Sequence, residues 1–452
     1  MAERQAKDLT TGPIGKHLLY LSLPLLGSSF LQLLYSFIDM AWLGRLSGEA
    51  VAAAGAASVF TWLANSLSLL NKVASEVGVA NALGRGAKDE ARSYASHTST
   101  MALILGITLL LIYFLFANPL IGFYRLAPEI HDFGTQYLEI AALGMPFVFM
   151  GAAYTGIYNA TGHSKVPFVV MTIGVVTNII LDPIFIFVLE MGVAGAAWAT
   201  IISQALGCSL ILYQMLLRDK LLGGIKIITQ LKKRTVRHIL SIGTPVALMN
   251  SLFAFINMNL GRIASLYGGY IGVMTLTTGG QLEGLCWNTA QGFSTALSAF
   301  TGQNYGADKP ERIYKGVRYT LSLSLSIGII GFLIYFFLGE KLFALIVPEE
   351  AAYIAGGIYL HIQALPQLFS MLEITSQGFF YGIRKTLPPS LISIIGNLLR
   401  IPAAYIILPL TNNIISLWWI IAISTIVKGL MAAAYYFYIK HKGIISERRP
   451  AC

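Results

Sequence analysis

Lys16-His17-Leu18-Leu19-Tyr20-Leu21-Ser22-Leu23-Pro24 opens an apolar segment that meets no acidic or further basic residue until Asp39. Nearly the same text returns as Arg237-His238-Ile239-Leu240-Ser241-Ile242-Gly243-Thr244-Pro245. The first copy leads into a stretch, 17–43, that is too long for the core of a signal peptide and reads as a retained membrane helix. The sixteen residues before it are polar and offer no cleavage site, so no removable leader is expected.

Working outward, apolar segments fall at 17–43, 50–81, 94–118, 131–160, 166–189, 192–217, 238–262, 269–301, 317–338, 350–380, 387–410 and 414–439. Each is long enough to cross a hydrocarbon core of about 30 Å, which takes around 20 helical residues. Barrel strands would be short and alternating, and these segments are neither. The repeat seen at Lys16 and Arg237 continues along the chain. Gly86-Ala87-Lys88 with Arg92 pairs with Gly306-Ala307-Asp308 and Arg312; Tyr137-Leu138 with Leu143 pairs with Tyr359-Leu360 and Leu365; Asn178 and Pro183 pair with Asn397 and Pro402. In order and at nearly constant offset, these matches mark a duplication. Six spans per half is an even number, so the halves insert in the same orientation and their pseudo-two-fold axis runs along the membrane normal. The expected fold is therefore an all-α membrane protein of twelve transmembrane helices in two six-helix lobes, 1–217 and 238–452, joined by a basic linker at 218–237.

Composition agrees. Of 452 residues 56% are hydrophobic and 12% charged, where a soluble domain is about a quarter charged. The net charge of +10 is explained by where the charges lie. With twelve spans, the side holding both termini and the even-numbered loops carries 24 Lys and Arg residues, the other side 4, and Lys72, Arg400 and Lys428 lie within spans. That asymmetry obeys the positive-inside rule, predicts a multi-pass protein of the cell membrane with cytoplasmic termini, and makes nucleic acid an unneeded partner. Three cysteines without a C-x-x-C pair support neither a zinc site nor a disulfide framework.

Ionisable residues inside spans carry the functional information, because an Asp at a helix centre costs about 2.5–3.5 kcal/mol to insert. At about 1.5 Å per residue, Asp39 lies roughly 33 Å along the first, outward-running span. Asp182 lies about 24 Å along the fifth, and Thr200 roughly 12 Å into the inward-running sixth. Asn178 precedes Asp182 by one turn, so the two share a face. Pro183 cannot donate to the carbonyl of Ile179, leaving an acceptor at that level. Asp39, Asn178, Asp182 and Thr200 are thus hard oxygen ligands at one depth, fit to hold a small cation such as Na⁺, or, in the two acids, a proton. The competing reading is that Asp39 caps near the interface and Asp182 bonds a neighbouring helix.

The second half does not repeat the acids: Leu260 stands opposite Asp39 and Ile401 opposite Asp182. It offers Glu283 and Glu373 instead, readable either as a second ion or substrate site or as structural partners of Arg400. Lys72 and Glu76, one turn apart, read as a mutually neutralising pair. Glu139, His361 and Lys428 read as structural. Tyr35 is a candidate cavity aromatic for flat cationic guests. No Walker A sequence, H-E-x-x-H or D-D-x-x-D run occurs, so ATP drive within the chain, metalloproteolysis and prenyl transfer lack their motifs.

Taken together, these features resemble the MATE family of multidrug and toxic-compound extrusion transporters, in its DinF-like branch. The resemblance covers nearly the whole chain. It rests on the two halves of six, on Pro24 and Asp39, on Asn178-x-x-x-Asp182-Pro183, and on Gly84 to Ala87. It rests also on Gly302-Gln303-Asn304-Tyr305-Gly306-Ala307, and on Glu373 with Gln377. It implies two lobes that export cationic amphipathic compounds in exchange for H⁺ or Na⁺, with Asp39, Asn178, Asp182 and Thr200 at the positions that bind the coupling ion. No cofactor beyond that ion is implied and no catalysis. The expected partners are small cationic amphipathic substrates and membrane lipids, with the chain acting as a monomer. The sequence departs from branches with an Asp in the tenth span, since Glu373 stands there, which leaves the coupling lobe and the ion open. The alternatives are a lipid-linked precursor flippase of similar two-lobe build and, from another class, an intramembrane enzyme.

Overall fold

The computed structural model describes residues 6–46, 48–123, 127–346 and 349–444, with side chains at 32–37, 39–41, 44, 48, 49, 51, 52 and 270 outside the described set. Among the described residues the regular structure is helical. The first half comprises α1 (Ile14–Leu46), α2 (Gly48–Gly84), α3 (Lys88–Gly122), α4 (Pro128–Leu143), α5 (Met145–Ala160), α6 (Lys165–Pro183) and α7 (Gly192–Tyr213). The second comprises α8 (Lys233–Gly306), α9 (Pro310–Ile346), α10 (Glu350–Gly382), α11 (Leu387–Leu398), α12 (Arg400–Thr411) and α13 (Ile415–His441). By length and apolarity alone, eight described stretches qualify as membrane spans, and the bent pair α4–α5 makes a ninth. The expected spans that fall short of this standard, as in α10, carry much polar surface turned inward: Gln363, Gln367, Glu373 and Gln377 are all buried there. The twelve-span organisation holds, with three local differences from the sequence reading.

The segment expected as one span at 131–160 is two helices bent by 47°. Pro146, the second residue of α5, has no N–H to give the carbonyl of Ala142 and its ring crowds that carbonyl. Gly106 on α3 makes room for the bend: a Cβ there would stand 2.7 Å from the Pro146 Cα. Second, the loop expected between 262 and 269 contracts to a reversal at Gly269, whose φ of 58° and ψ of −149° only glycine adopts readily. A Cβ on Gly272 would lie 2.6 Å from the Ala264 carbonyl oxygen. Eight residues of straight helix would separate these by about 12 Å, so α8 doubles back and supplies two spans. Third, the segment 387–410 is broken between α11 and α12, where Pro402 cannot donate to Leu398.

Packing relies on close backbone approach, as expected where lipid supplies no hydrophobic drive between helices. Gly156 on α5 lies against α2, where a Cβ would come within 2.3 Å of both the Lys72 carbonyl oxygen and Ser75 Oγ. Ser75 Oγ in turn donates across to Ala153 O at 3.0 Å. In the second half α10 packs chiefly on α9 and α13, around a core that includes Tyr335, Phe343, Tyr359 and Trp418.

The chain forms two compact units, Met1–Leu9 with Leu23–Ala247 and Thr10–Ser22 with Leu248–Cys452. The opening turns of α1 therefore belong to the second unit, where Lys309 Nζ donates to Thr10 O (2.8 Å) and Arg312 donates to Thr11 O (2.6 Å). The opening turns of α8 belong to the first, where Gly243 lies against the Leu70 carbonyl. The linker is fastened as well: the backbone N–H groups of Lys226, Thr229 and Lys232 donate to Ser96 Oγ, Thr100 Oγ1 and His97 Nε2 on α3.

Candidate ion-coupling site

In the first unit the buried face of α6 and the turn after it reads Val175, Asn178, Asp182, Ile186, while Ile173, Val176, Ile180 and Phe187 are exposed. A spacing of three to four residues puts the first set on one stripe and the second on the lipid side. Asn178 and Asp182 are the polar members of the inner stripe, both with no exposed surface. Asn178 Nδ2 donates to Asp182 Oδ1 at 3.1 Å, which confirms the shared face expected from their spacing. The amide oxygen of Asn178 is buried without a hydrogen-bond partner among the described residues. A buried acceptor in that condition costs about 1–3 kcal/mol, and a cation or a proton donor would remove the cost. After Pro183 the chain widens into a π-turn over Ile184–Val188, with Leu189 N–H reaching back to Ile184 O at 2.8 Å. Thr200 lies partly buried on α7, the helix packed beside α6. Asp39 and Tyr35 stand in the backbone of α1, and their side chains lie outside the described residues.

The second unit holds its own buried polar cluster. Glu283 on α8 is half-buried, with its carboxyl beside the Tyr359 hydroxyl and the Gln367 amide and within the field of Arg400. Glu373 on α10 is buried, and Lys428 Nζ lies 3.1 Å from its Oε2. Its other oxygen, Oε1, accepts a short hydrogen bond from Ser393 on α11. Gln377 Nε2 donates to Ser393 Oγ at 3.2 Å, and the Tyr381 hydroxyl donates to Gln377 Oε1 at 3.2 Å. Glu373 thus does not take Arg400 as its contact partner, as one reading of the sequence had it. The guanidinium of Arg400 instead donates to Ser424 Oγ (3.0 Å) and Thr425 Oγ1 (2.9 Å) on α13. Glu283 and Glu373 are brought into one electrostatic neighbourhood through Arg400, which acts on both.

The sequence reading took Lys428 as structural without naming its partner, which is Glu373. A signal existed: a lysine inside an apolar span requires an acid, and away from the span ends the second half offers only Glu283 and Glu373. Its stem is admitted by Gly396, where a Cβ would stand 2.4 Å from Lys428 Cγ and 2.6 Å from Cδ. Gly396→Ala is therefore expected to displace the lysine stem and to cost about 1–3 kcal/mol, the range for overpacking. Thermal unfolding of the purified variant measures this, and truncating the stem in Gly396→Ala/Lys428→Ala should cancel most of the added steric term. In the first half, Lys72 and Glu76 are electrostatic neighbours, and Asn159 Nδ2 also reaches Glu76 at 3.5 Å.

Comparison with known proteins places the fold. The family model MatE matches two stretches, residues 24–184 and 245–406. They begin at Pro24 and Pro245, the prolines that the internal repeat pairs. The chain is 28% identical to the probable multidrug resistance protein NorM of Thermotoga maritima, over 87% of this chain and 85% of that one. It is 25% identical to a FAD transporter of Shewanella oneidensis, over 70% and 71% respectively. The crystal structure of MATE in complex with MaD3S superimposes with a TM-score of 0.92 at 21% identity, covering 98% of this chain and all of that one.

Proposed function

Since the chain belongs to the MatE family of transporters, we propose that it is a secondary antiporter that exports cationic amphipathic drugs in exchange for H⁺ or Na⁺. It is a transporter and not an enzyme. The observation that carries the coupling reading is the buried Asn178–Asp182 pair, an acid in the membrane interior beside an amide oxygen in need of a partner. Asp182, with Asp39, Asn178 and Thr200, is assigned the coupling ion, and Tyr35 a place among the residues that meet the substrate. Glu283, half-buried and within reach of polar neighbours, is the second-lobe candidate for a cationic substrate. The chain works as a monomer in the cell membrane with both termini cytoplasmic. Export proceeds by rocking of the two halves, with ion and substrate favouring opposite access states.

The energetics suffice. One charge moving down about 100 mV supplies about 2.3 kcal/mol, which sustains roughly a 50-fold substrate gradient. The kinship to multidrug resistance proteins supports drugs as cargo, and kinship to a FAD transporter names an anionic competitor for the test. Purified protein in proteoliposomes, given a Na⁺ gradient or a pH gradient separately, is expected to drive efflux of a cationic dye with one of them. Efflux with neither would end the antiport reading, and efflux of FAD in place of the dye would overturn the substrate class.

A further inference from the structure

The charges buried in the second unit are balanced within the protein. Glu283 and Glu373 share their neighbourhood with Arg400 and Lys428, so two acids face two bases. The first half has only Lys72 as a basic residue inside its spans, and that lies one turn from Glu76. The two halves thus treat their intramembrane acids differently.

We propose that the Lys428 ammonium is a resident counter-cation that occupies the position a coupling ion would take on Glu373, so that this carboxylate is closed to H⁺ and Na⁺. The inference rests on the antiport reading and deepens it by removing Glu373 from the acids open to the coupling ion. Three observations carry it. The ammonium is in direct contact with Oε2, and both side chains are buried. The second carboxylate oxygen is also taken, by Ser393. And the hydrogen bonds run one way: Tyr381 donates to Gln377, Gln377 to Ser393, Ser393 to Glu373. A proton added to Oε1 would meet the hydroxyl hydrogen of Ser393 pointing at it, so protonation there has to break the bond that Ser393 donates. A Na⁺ ion at Oε2 would have to expel the ammonium and strand it in the membrane interior, since the neighbouring base, Arg400, would repel it further. Glycine at 396 keeps the slot open for the lysine stem.

The test counts bound ions on full-length protein in detergent, without a gradient. Isotopic Na⁺ binding and the infrared band of protonated carboxyls are read for wild type, Lys428→Met, Lys428→Arg and the charge-neutral double variant Glu373→Gln/Lys428→Met. Wild type and the double variant are expected to bind the same number of ions, because removing Glu373 removes no occupant. Lys428→Met should gain one occupant, a proton or a Na⁺, which disappears again in the double variant; Lys428→Arg should gain none. Loss of an ion between wild type and the double variant would overturn the proposal, as would a folded Lys428→Met with no new occupant. If Lys428→Met fails to fold, the comparison of wild type with the double variant still decides. Failure of the antiport reading shows separately, as a wild type that binds no ion and gives no gradient-driven efflux.

Discussion

Cells relying on Asp182→Asn are expected to lose drug export while the protein remains in the membrane at its usual level. Asparagine matches the aspartate in size and can keep a contact with Asn178, now 3.1 Å away. It cannot release a proton, and it gives Na⁺ a neutral oxygen in place of a charged one. The substrate gradient should collapse from roughly 50-fold to none, because the ion's 2.3 kcal/mol per 100 mV no longer reaches the cargo. Asp39→Asn should behave alike. Export rates in cells and in proteoliposomes, with membrane abundance followed by a fluorescent fusion, measure this directly. Unchanged export by Asp182→Asn would sink the assignment. Thr200→Ala separates the ions: it should raise the Na⁺ concentration needed if Na⁺ is held by several oxygens, and do little if a proton sits on the carboxylates.

The second large effect is on stability. Lys428→Met leaves Glu373 as a buried carboxylate without its cation, and breaking such a pair from one side costs about 3–5 kcal/mol. Replacing both partners in Glu373→Gln/Lys428→Met should recover most of that loss, because no stranded charge remains. The deficit of the single variant should shrink as protons or Na⁺ are supplied to fill the vacated place. Thermal unfolding in detergent across pH and Na⁺ concentration measures all three. A single variant as stable as wild type at neutral pH without Na⁺ would mean that the 3.1 Å contact contributes little.

How legible this was in the sequence depended on the range over which each feature acts. Helices long enough to span a bilayer are written in local hydropathy, and the duplication in the prolines and asparagines that recur between halves. The Asn178–Asp182 contact was readable because one helical turn separates the two. The Glu373–Lys428 pair joins residues 55 positions apart on different helices, where no periodicity rule reaches; only the need to neutralise a buried base pointed at it. Arg400 shares the field of both acids, as one of the two readings had it, but its hydrogen bonds were not legible. Its obvious partners were the acids, yet the hydroxyls of Ser424 and Thr425 on α13 receive its hydrogen bonds. The bend at Gly144 was encoded in Pro146, but a proline near the middle of an apolar run is as compatible with a kink inside one span as with two helices. The break before Gly269 was legible, since one span ends at 262 and the next opens at 269; what hydropathy could not show is that a single glycine with positive φ makes the reversal.

The exchange of opening turns between the compact units bears on how the protein is made. Thr10–Ser22 leaves the ribosome long before the rest of its unit, which starts at Leu248. The lysine and arginine that hold the carbonyls of Thr10 and Thr11 lie later still, at 309 and 312. The amino-terminal end of α1 therefore waits through synthesis of the entire first half. The first unit, for its part, closes only when the chain has been read through Ala247, after the linker has left the ribosome. Neither half is a self-sufficient product of translation, and a gene cut at the linker would release a first fragment that lacks its own last piece.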